Sequence, residues 1–319
     1  MNGKSVVVTG IATALSGVDG PADLAGGRPA RPGAADPADA LTGRGLRYAD
    51  RATKLALCAA RDALESAGLL AGGAVPEEST GVVVSSNYGN VDTFCDTVDA
   101  ITRDTYLGTS PMRLPATASN VTASAVAIRF RLRGANVTLC NGPTSGIDAV
   151  HWARVLVAAS RVERVLVIGV EPANRQVESL SGVPGHDLMD GAAGLVVESE
   201  AAARSRRAEV LAELGPYSRR ADWAESVATV LPGGPGQVDL WCTPGGVDPG
   251  PRAVVDAAAH LDVTRLLGEC SGALGVVQCV AGTAWLADGG GTVLATAGRG
   301  APDDDAASAI TLSRAGGRR

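Results

Sequence analysis

Short runs of β-branched residues, set between long alanine- and glycine-rich stretches, constrain this chain more than any other feature. The runs fall at Ser5–Val8, Val82–Ser85, Asn136–Leu139, Val165–Gly169 and Ala193–Glu198, then at Glu209–Leu214, Val238–Trp241, Val263–Leu266, Thr292–Ala295 and Ala309–Ser313. Runs this short, alternating with helical segments, predict strands in a layered βα architecture whose sheets are covered on both faces. Two sets of five suggest an internal duplication, with halves of about 1–200 and 201–319 in one domain. No linker separates two independent units.

The helices between the strands have their own signals. Asp50 is placed to cap a helix through Ala67, with Ala52, Leu55, Ala56, Ala59, Ala63 and Ala67 on one stripe and Gly68 ending it. Ala116–Arg131 is a second candidate. Thr144–Ser160 and Ser271–Ala287 are apolar on most sides, as expected of helices buried between sheets. Gly20–Gly43 and Gly298–Ala309 read as loops from their Pro, Gly and Asp content.

Composition excludes several classes of function. A net charge of −6 argues against nucleic acid as a partner. No run of eighteen apolar residues is present, so no membrane span is expected. The start MNGKSVVVTG lacks a signal peptide's cationic flank and long apolar stretch, which gives a cytoplasmic expectation. Six cysteines contain no C-x-x-C pair and only three histidines are present, so neither a metal nor any other cofactor is expected.

The stretch TLCNGPTSGIDAVHWA (Thr138–Ala153) reads as a strand, a tight turn and a helix, an arrangement that presents a nucleophile at a helix N-terminus. The corner residue is Pro143, which has no reactive group but suits a first helical turn. Taken with DRATKLALCAARDALESAGL (Asp50–Leu69), SPMRLPATASNVTASAVAIRFRLRGANVTLCNGPTSG (Ser110–Gly146), VERVLVIGVEP (Val162–Pro172) and DGAAGLVVES (Asp190–Ser199), the chain resembles the β-ketoacyl synthase family. That resemblance implies a thiolase fold, an α/β chain of duplicated βαβαβ layers in an α-β-α-β-α sandwich. The chain is short for the family, with apparent deletions between Ala173 and His186 and around Asp222–Gly236.

The family's condensing chemistry uses a cysteine nucleophile and two histidines. By the resemblance, Pro143 takes the nucleophile position. In WCTPGGV (Trp241–Val247) Pro244 takes the first histidine position, with Cys242 or Thr243 there in a shifted register. In TRLLGECSGALG (Thr264–Gly275) Gly268, Gly272 and Gly275 match, Glu269 takes the second histidine position and Thr264 that of a lysine. Arg299, in AGRGA (Ala297–Ala301), stands where a gating phenylalanine would be. No catalytic residue of the family remains.

Each remaining chemical group has a plainer reading beside the functional one. Cys140 is either a displaced nucleophile or a small residue closing a buried strand. His151 is a packed, hydrogen-bonded residue on the buried helix rather than a catalytic one. Glu269 is either a general base raised by burial or a partner for an arginine or backbone amide. The arginines of ARSRRAE (Ala203–Glu209), with Arg219 and Arg220, are either a docking patch for an acidic carrier protein or solvated surface.

A family member without its catalytic groups resembles the chain-length factor of type II polyketide synthases. That resemblance implies a heterodimer with a catalytic ketosynthase subunit, an acyl carrier protein bringing the chain, and a role in shaping the polyketide tunnel. Such factors mostly carry Gln where Pro143 stands, which points to a divergent branch serving a reducing, polyene-forming system. The resemblance makes Asn136–Leu139 a sheet edge that pairs across a pseudo-twofold, with Gly134 and Asn136 allowing close approach. Phe94, Val98, Met112, Arg113, Asn120 and Asn136 are then the expected interface or tunnel residues. Two other classes stay open: a stand-alone acyltransferase or thioester hydrolase using Glu269, Cys140 or Cys242, and a homodimeric scaffold that holds an acyl carrier protein.

Overall fold

In a computed structural model the chain is described over residues 5–31, 34–43, 46, 49–70, 75, 77–233, 238–246, 255–298 and 305–316. The first half runs β1 (Val6–Leu15), α1 (Pro21–Ala25), α2 (Arg51–Ser66), β2 (Thr80–Ser85), α3 (Val91–Asp104), α4 (Val121–Phe130), β3 (Asn136–Leu139), α5 (Ser145–Ala158), β4 (Arg164–Glu171), α6 (Arg175–Ser181), β5 (Gly191–Ser199) and α7 (Glu200–Ser205). The second half runs β6 (Ala212–Arg220), α8 (Trp223–Val230), β7 (Val238–Cys242), β8 (Ala257–Leu261), α9 (Thr264–Leu267), α10 (Leu274–Ala287), β9 (Thr292–Gly298) and β10 (Ala307–Ser313).

The strands order as β3-β2-β4-β5-β1-β6-β10-β9-β7-β8. Read outward from the β1–β6 junction, the two halves have the same order and the same senses. β2 is parallel to β3 and β4, and β5 is antiparallel to β4 and β1. In the same way β7 is parallel to β8 and β9, and β10 is antiparallel to β9 and β6. The halves join through the antiparallel pairs Val7↔Glu213 and Val8↔Ala212.

Alternation along β4 explains the layers. Val165 and Val167 enter a central core with α5 and α10, whereas Leu166, Ile168 and Val170 enter an outer core under α2 and α4. A third core, around Val227, Val230, Trp241 and Leu294, lies under α8. The result is the expected α-β-α-β-α sandwich. Its middle layer is closed by two glycines, because a Cβ on Gly146 would lie 2.6 Å from the Gly275 nitrogen and one on Gly275 2.2 Å from the Ile147 nitrogen.

Helix α2 forms as its sequence dictates: the Asp50 carboxylate accepts the Thr53 N–H at 2.6 Å, and its alanine stripe is buried against β1 and β5. Other expectations change. Val263–Leu266 is not a strand, because Asp262 accepts both the N–H and the hydroxyl of Thr264 and opens the short helix α9. The strand there is the alanine-rich β8, where pairing with β7 overrides helix propensity. Strand β6 starts later than its β-branched run and passes through Pro216, where the ladder to β10 slips register and no N–H is needed. The helix expected over Ala116–Arg131 is a single 3-10 turn at Leu114–Thr117 followed by α4. The loop Gly20–Gly43 contains α1 and a 3-10 turn at Pro37–Ala40.

Candidate functional site

Strand β3 leads through Cys140 and Asn141 into a 3-10 turn, Gly142–Thr144, that continues as α5. Gly142 has a φ of 71°, which lets the chain turn sharply before Pro143. Pro143 is exposed at the corner, while Thr144, Ser145 and Asp148 behind it are buried. Asp148 accepts from Thr144 Oγ1 at 2.9 Å, Asn141 Nδ2 at 3.2 Å and the Tyr217 hydroxyl at 2.8 Å, with Arg219 Nε 3.7 Å away. Burial and the Asp148 charge push the Tyr217 phenol above its ordinary range. The first turn of α5 is thus bound to β6 of the other half.

Asn87, just past β2, holds the front of the turn. Its side chain donates to the Gly142 carbonyl at 3.0 Å and to Ser271 Oγ at 2.9 Å, and accepts from the Gly142 N–H at 3.2 Å and Ser145 Oγ at 3.1 Å. Beneath it lies Glu171, the last residue of β4 and 2 % exposed. Oε1 accepts the N–H of Asn87 at 2.6 Å and of Gly272 at 3.0 Å; Oε2 accepts the N–H of Tyr88 and the Ser86 hydroxyl, both at 3.1 Å. All four donors are neutral, so burial outweighs them and lifts the carboxyl to about 7. Tyr88, Cys140 and Cys270 are each pushed up in part by its charge.

The counterpart turn sits opposite. Glu269 is clamped through its backbone, donating to the Asp187 carbonyl at 2.7 Å and accepting from the Met189 N–H at 3.0 Å. Its side chain is exposed, and Oε1 accepts the Ser271 N–H at 2.9 Å. Of the two readings of Glu269, its side-chain contact is to a backbone amide. Pro244 is buried at the end of β7, beside Thr243, whose carbonyl accepts from Gln278 Nε2 at 2.6 Å. Arg299 lies outside the described residues.

Proline cannot be acylated, and the thiols nearby are quiet. Burial pushes Cys242 up to about 12 and raises Cys270 well above its ordinary value. Cys140 is exposed rather than a core residue, because β3 is an edge strand; partial burial and then the Glu171 charge still raise its thiol. Glu171 has an acidity suited to a general base, but its four donors and burial keep it from any substrate. His151 stacks on Tyr217 with ring centroids 3.7 Å apart, and its buried Nδ1 has no hydrogen-bond partner among the described residues; it is packed, but by stacking. Among the described residues no group of three or more His, Cys, Asp or Glu could hold a metal ion, and no helix is long and apolar enough to cross a membrane.

The residues expected at an interface are all exposed. Phe94 and Val98 project from α3 and are 52 % and 44 % exposed, with Ile101, Tyr106, Leu107 and Leu114 exposed nearby. Met112 is 73 % exposed, and Arg113 reaches Asp96 at 3.6 Å. Asn120 precedes α4 without a side-chain cap, and Asn136 is the exposed first residue of the edge strand β3. Gly134 serves its own chain, since a Cβ there would meet the Thr80 carbonyl oxygen at 2.7 Å. The arginines do not form one patch. Arg206 is bound to the buried Glu198 near Glu213, whereas Arg219 and Arg220 lie roughly 20 Å along β6. Sequence reasoning missed Asn87 and Glu171; the one signal was a carboxylate ending an otherwise apolar strand, VLVIGVE.

Residues 31–183 match the family profile of the β-ketoacyl synthase N-terminal domain. Over those residues the chain is similar to a β-ketoacyl synthase. A 3-oxoacyl-[acyl-carrier-protein] synthase 2 of Coxiella burnetii is 25 % identical over 213 residues, covering 59 % of this chain and 50 % of that protein. A second such synthase, of Vibrio harveyi, is 24 % identical over 208 residues, covering 57 % of this chain and 49 % of that one. The chain thus spans about half the length of the curated relatives it matches.

Solved structures show that the ketosynthase fold extends further. A type II polyketide synthase acyl-carrier protein in complex with its ketosynthase includes a chain that superposes at a TM-score of 0.80, covering 98 % of this chain and 99 % of that one at 16 % identity. The ishigamide ketosynthase/chain length factor gives 0.75 over 97 % of this chain and 99 % of that one at 24 % identity. A β-ketoacyl synthase from Burkholderia phymatum gives 0.77 over 98 % of this chain and 99 % of that one at 16 % identity. At these identities the likeness establishes the fold: this chain has the thiolase-type sandwich that its sequence resemblance implies.

Proposed function

We propose that this chain is a non-catalytic, chain-length-factor-like subunit. It pairs with an active ketosynthase and shapes the tunnel into which a type II polyketide synthase extends its product. The observation that carries the reading is Pro143 at the corner of the strand–turn–helix, with Pro244 and Glu269 at the two histidine positions. Nothing at that corner can take an acyl group, while the turn around it is fully built.

The surface supports a partner. β3 is an edge strand, and its flanking helices leave Ile128 of α4 and Trp152 of α5 exposed, with the apolar side of α3 beyond. An apolar edge left bare invites uncontrolled pairing, so a cognate chain is the economical cover. The acyl carrier protein would deliver the chain to the active subunit, and Phe94 would help close the tunnel's far end. Co-expression with an intact type II polyketide ketosynthase subunit should give a stable one-to-one complex. A self-paired dimer that ignores the ketosynthase would favour the scaffold reading. An acyl adduct on the purified lone chain, seen by mass spectrometry, would overturn both in favour of a transferase or hydrolase. In the reconstituted complex Phe94→Ala should lengthen the product; unchanged length removes Phe94 from the tunnel.

A further inference from the structure

We propose that Glu171 is a positioning residue for the partner face: its buried carboxylate holds the Ser86–Tyr88 segment in the arrangement that presents α3. This rests on the partner reading and adds to it the residue on which docking depends. Glu171 joins three segments distant in sequence, namely the end of β4, the Ser86–Tyr88 segment and the Cys270–Gly272 turn. Gly272 is small so that the turn can approach, since a Cβ there would lie 2.8 Å from Oε1.

The link from Glu171 to the face is short. Its Oε2 accepts the Tyr88 N–H, and the Tyr88 carbonyl accepts the N–H of Val91, the first residue of α3, at 2.8 Å. Asn90 then donates to the carbonyls of Ala116 and Ala118, joining α3 to the 3-10 turn at Leu114–Thr117. Phe94, Val98 and Met112 project from this unit, which has only Thr93 of α3 buried. With so little packing of its own, the face takes its place from the hydrogen bonds at its root.

The geometry specifies what Glu171→Gln does. The Gln oxygen can keep the Asn87 and Gly272 N–H groups, and the Ser86 hydroxyl can rotate to accept from the new amide. The Tyr88 N–H cannot reverse, so it is the one backbone donor that loses its acceptor. The variant also removes a buried charge that has no cation among its partners. A residue that merely supported the fold would lose stability when changed; a positioning residue should not.

Hydrogen exchange on the lone chain, with titration against an active type II polyketide ketosynthase subunit, tests this. In Glu171→Gln the Tyr88 amide and the first turn of α3 should exchange at least tenfold faster while β4 and α5 do not change. The melting temperature should hold or rise, and ketosynthase affinity should fall about tenfold. Glu171→Asp, which keeps the charge but shortens its reach, should loosen the same amides. Unchanged exchange at Tyr88, or full affinity in a variant whose Tyr88 is loosened, overturns the proposal. A wild-type chain that does not bind the ketosynthase defeats the partner reading instead, and exchange through α3 then decides alone whether Glu171 holds the face.

Discussion

The floor beneath the Pro143 turn and the face beside it are built in opposite ways. The floor is dense: Gly146 against Gly275, Asn87 with four hydrogen bonds, and Glu171 with four more. The face is open: α3 and the turns after it leave Phe94, Val98, Ile101, Tyr106, Leu107 and Met112 exposed. The turn at Pro143 is rigidly held, while the surface next to it leaves its apolar side chains to solvent.

The contrast can be broken most forcefully at the floor. Gly275→Ala places a methyl group against backbone that cannot move, and should cost about 3 kcal/mol or more in a denaturant melt. A near-neutral result would mean that the middle layer is looser than its glycines imply. The buried carboxylate gives an effect of similar size but set by pH. Glu171 is raised to about 7 in the fold from an ordinary 4.5, so between these values the folded chain holds a proton that the unfolded chain has lost. Stability should therefore fall as pH rises through that window, by up to about 3 kcal/mol. Glu171→Gln should flatten the slope; an equal slope in the variant would assign it to other groups.

The face should respond the other way. Phe94→Asp should leave the unfolding free energy of the lone chain within about 0.5 kcal/mol, yet weaken the ketosynthase complex by about 2 kcal/mol, roughly 30-fold. Loss of fold stability would show that Phe94 belongs to the interior. A subtler test asks whether the turn before α5 can activate a thiol. In a Cys140→Ser background, Pro143→Cys should place a thiol at the N-terminus of α5 with a pKa below the usual cysteine value, detectable as faster labelling by a thiol-directed acyl probe. Cys140→Ser alone should change neither stability nor complex formation by more than about 0.5 kcal/mol.

Local chemistry made much of this legible beforehand. The Asp50 cap and alanine stripe fixed α2, and the four residues of β3 have the bounds expected of them. Departures arise where context overrides local preference, as in the alanine-rich β8, the Pro216 bulge in β6, and α3, whose apolar residues face outward and so carry no core signal. The site divides in the same way. Pro143, Pro244 and Glu269 stand in contiguous motifs and could be read in order. Asn87 and Glu171 act on residues 55 to 184 positions away in sequence, which no motif records.

By itself, the order of residues determined that this chain forms two sets of βα layers and that its turn before α5 carries no nucleophile, because strand periodicity, helix capping and the chemistry of proline are local properties. Only the tertiary structure decided that a buried glutamate ties together segments of both halves, that Cys140 lies at an open edge, and that α3 shows its apolar side to solvent. Those depend on which surfaces the fold brings together and which it leaves uncovered.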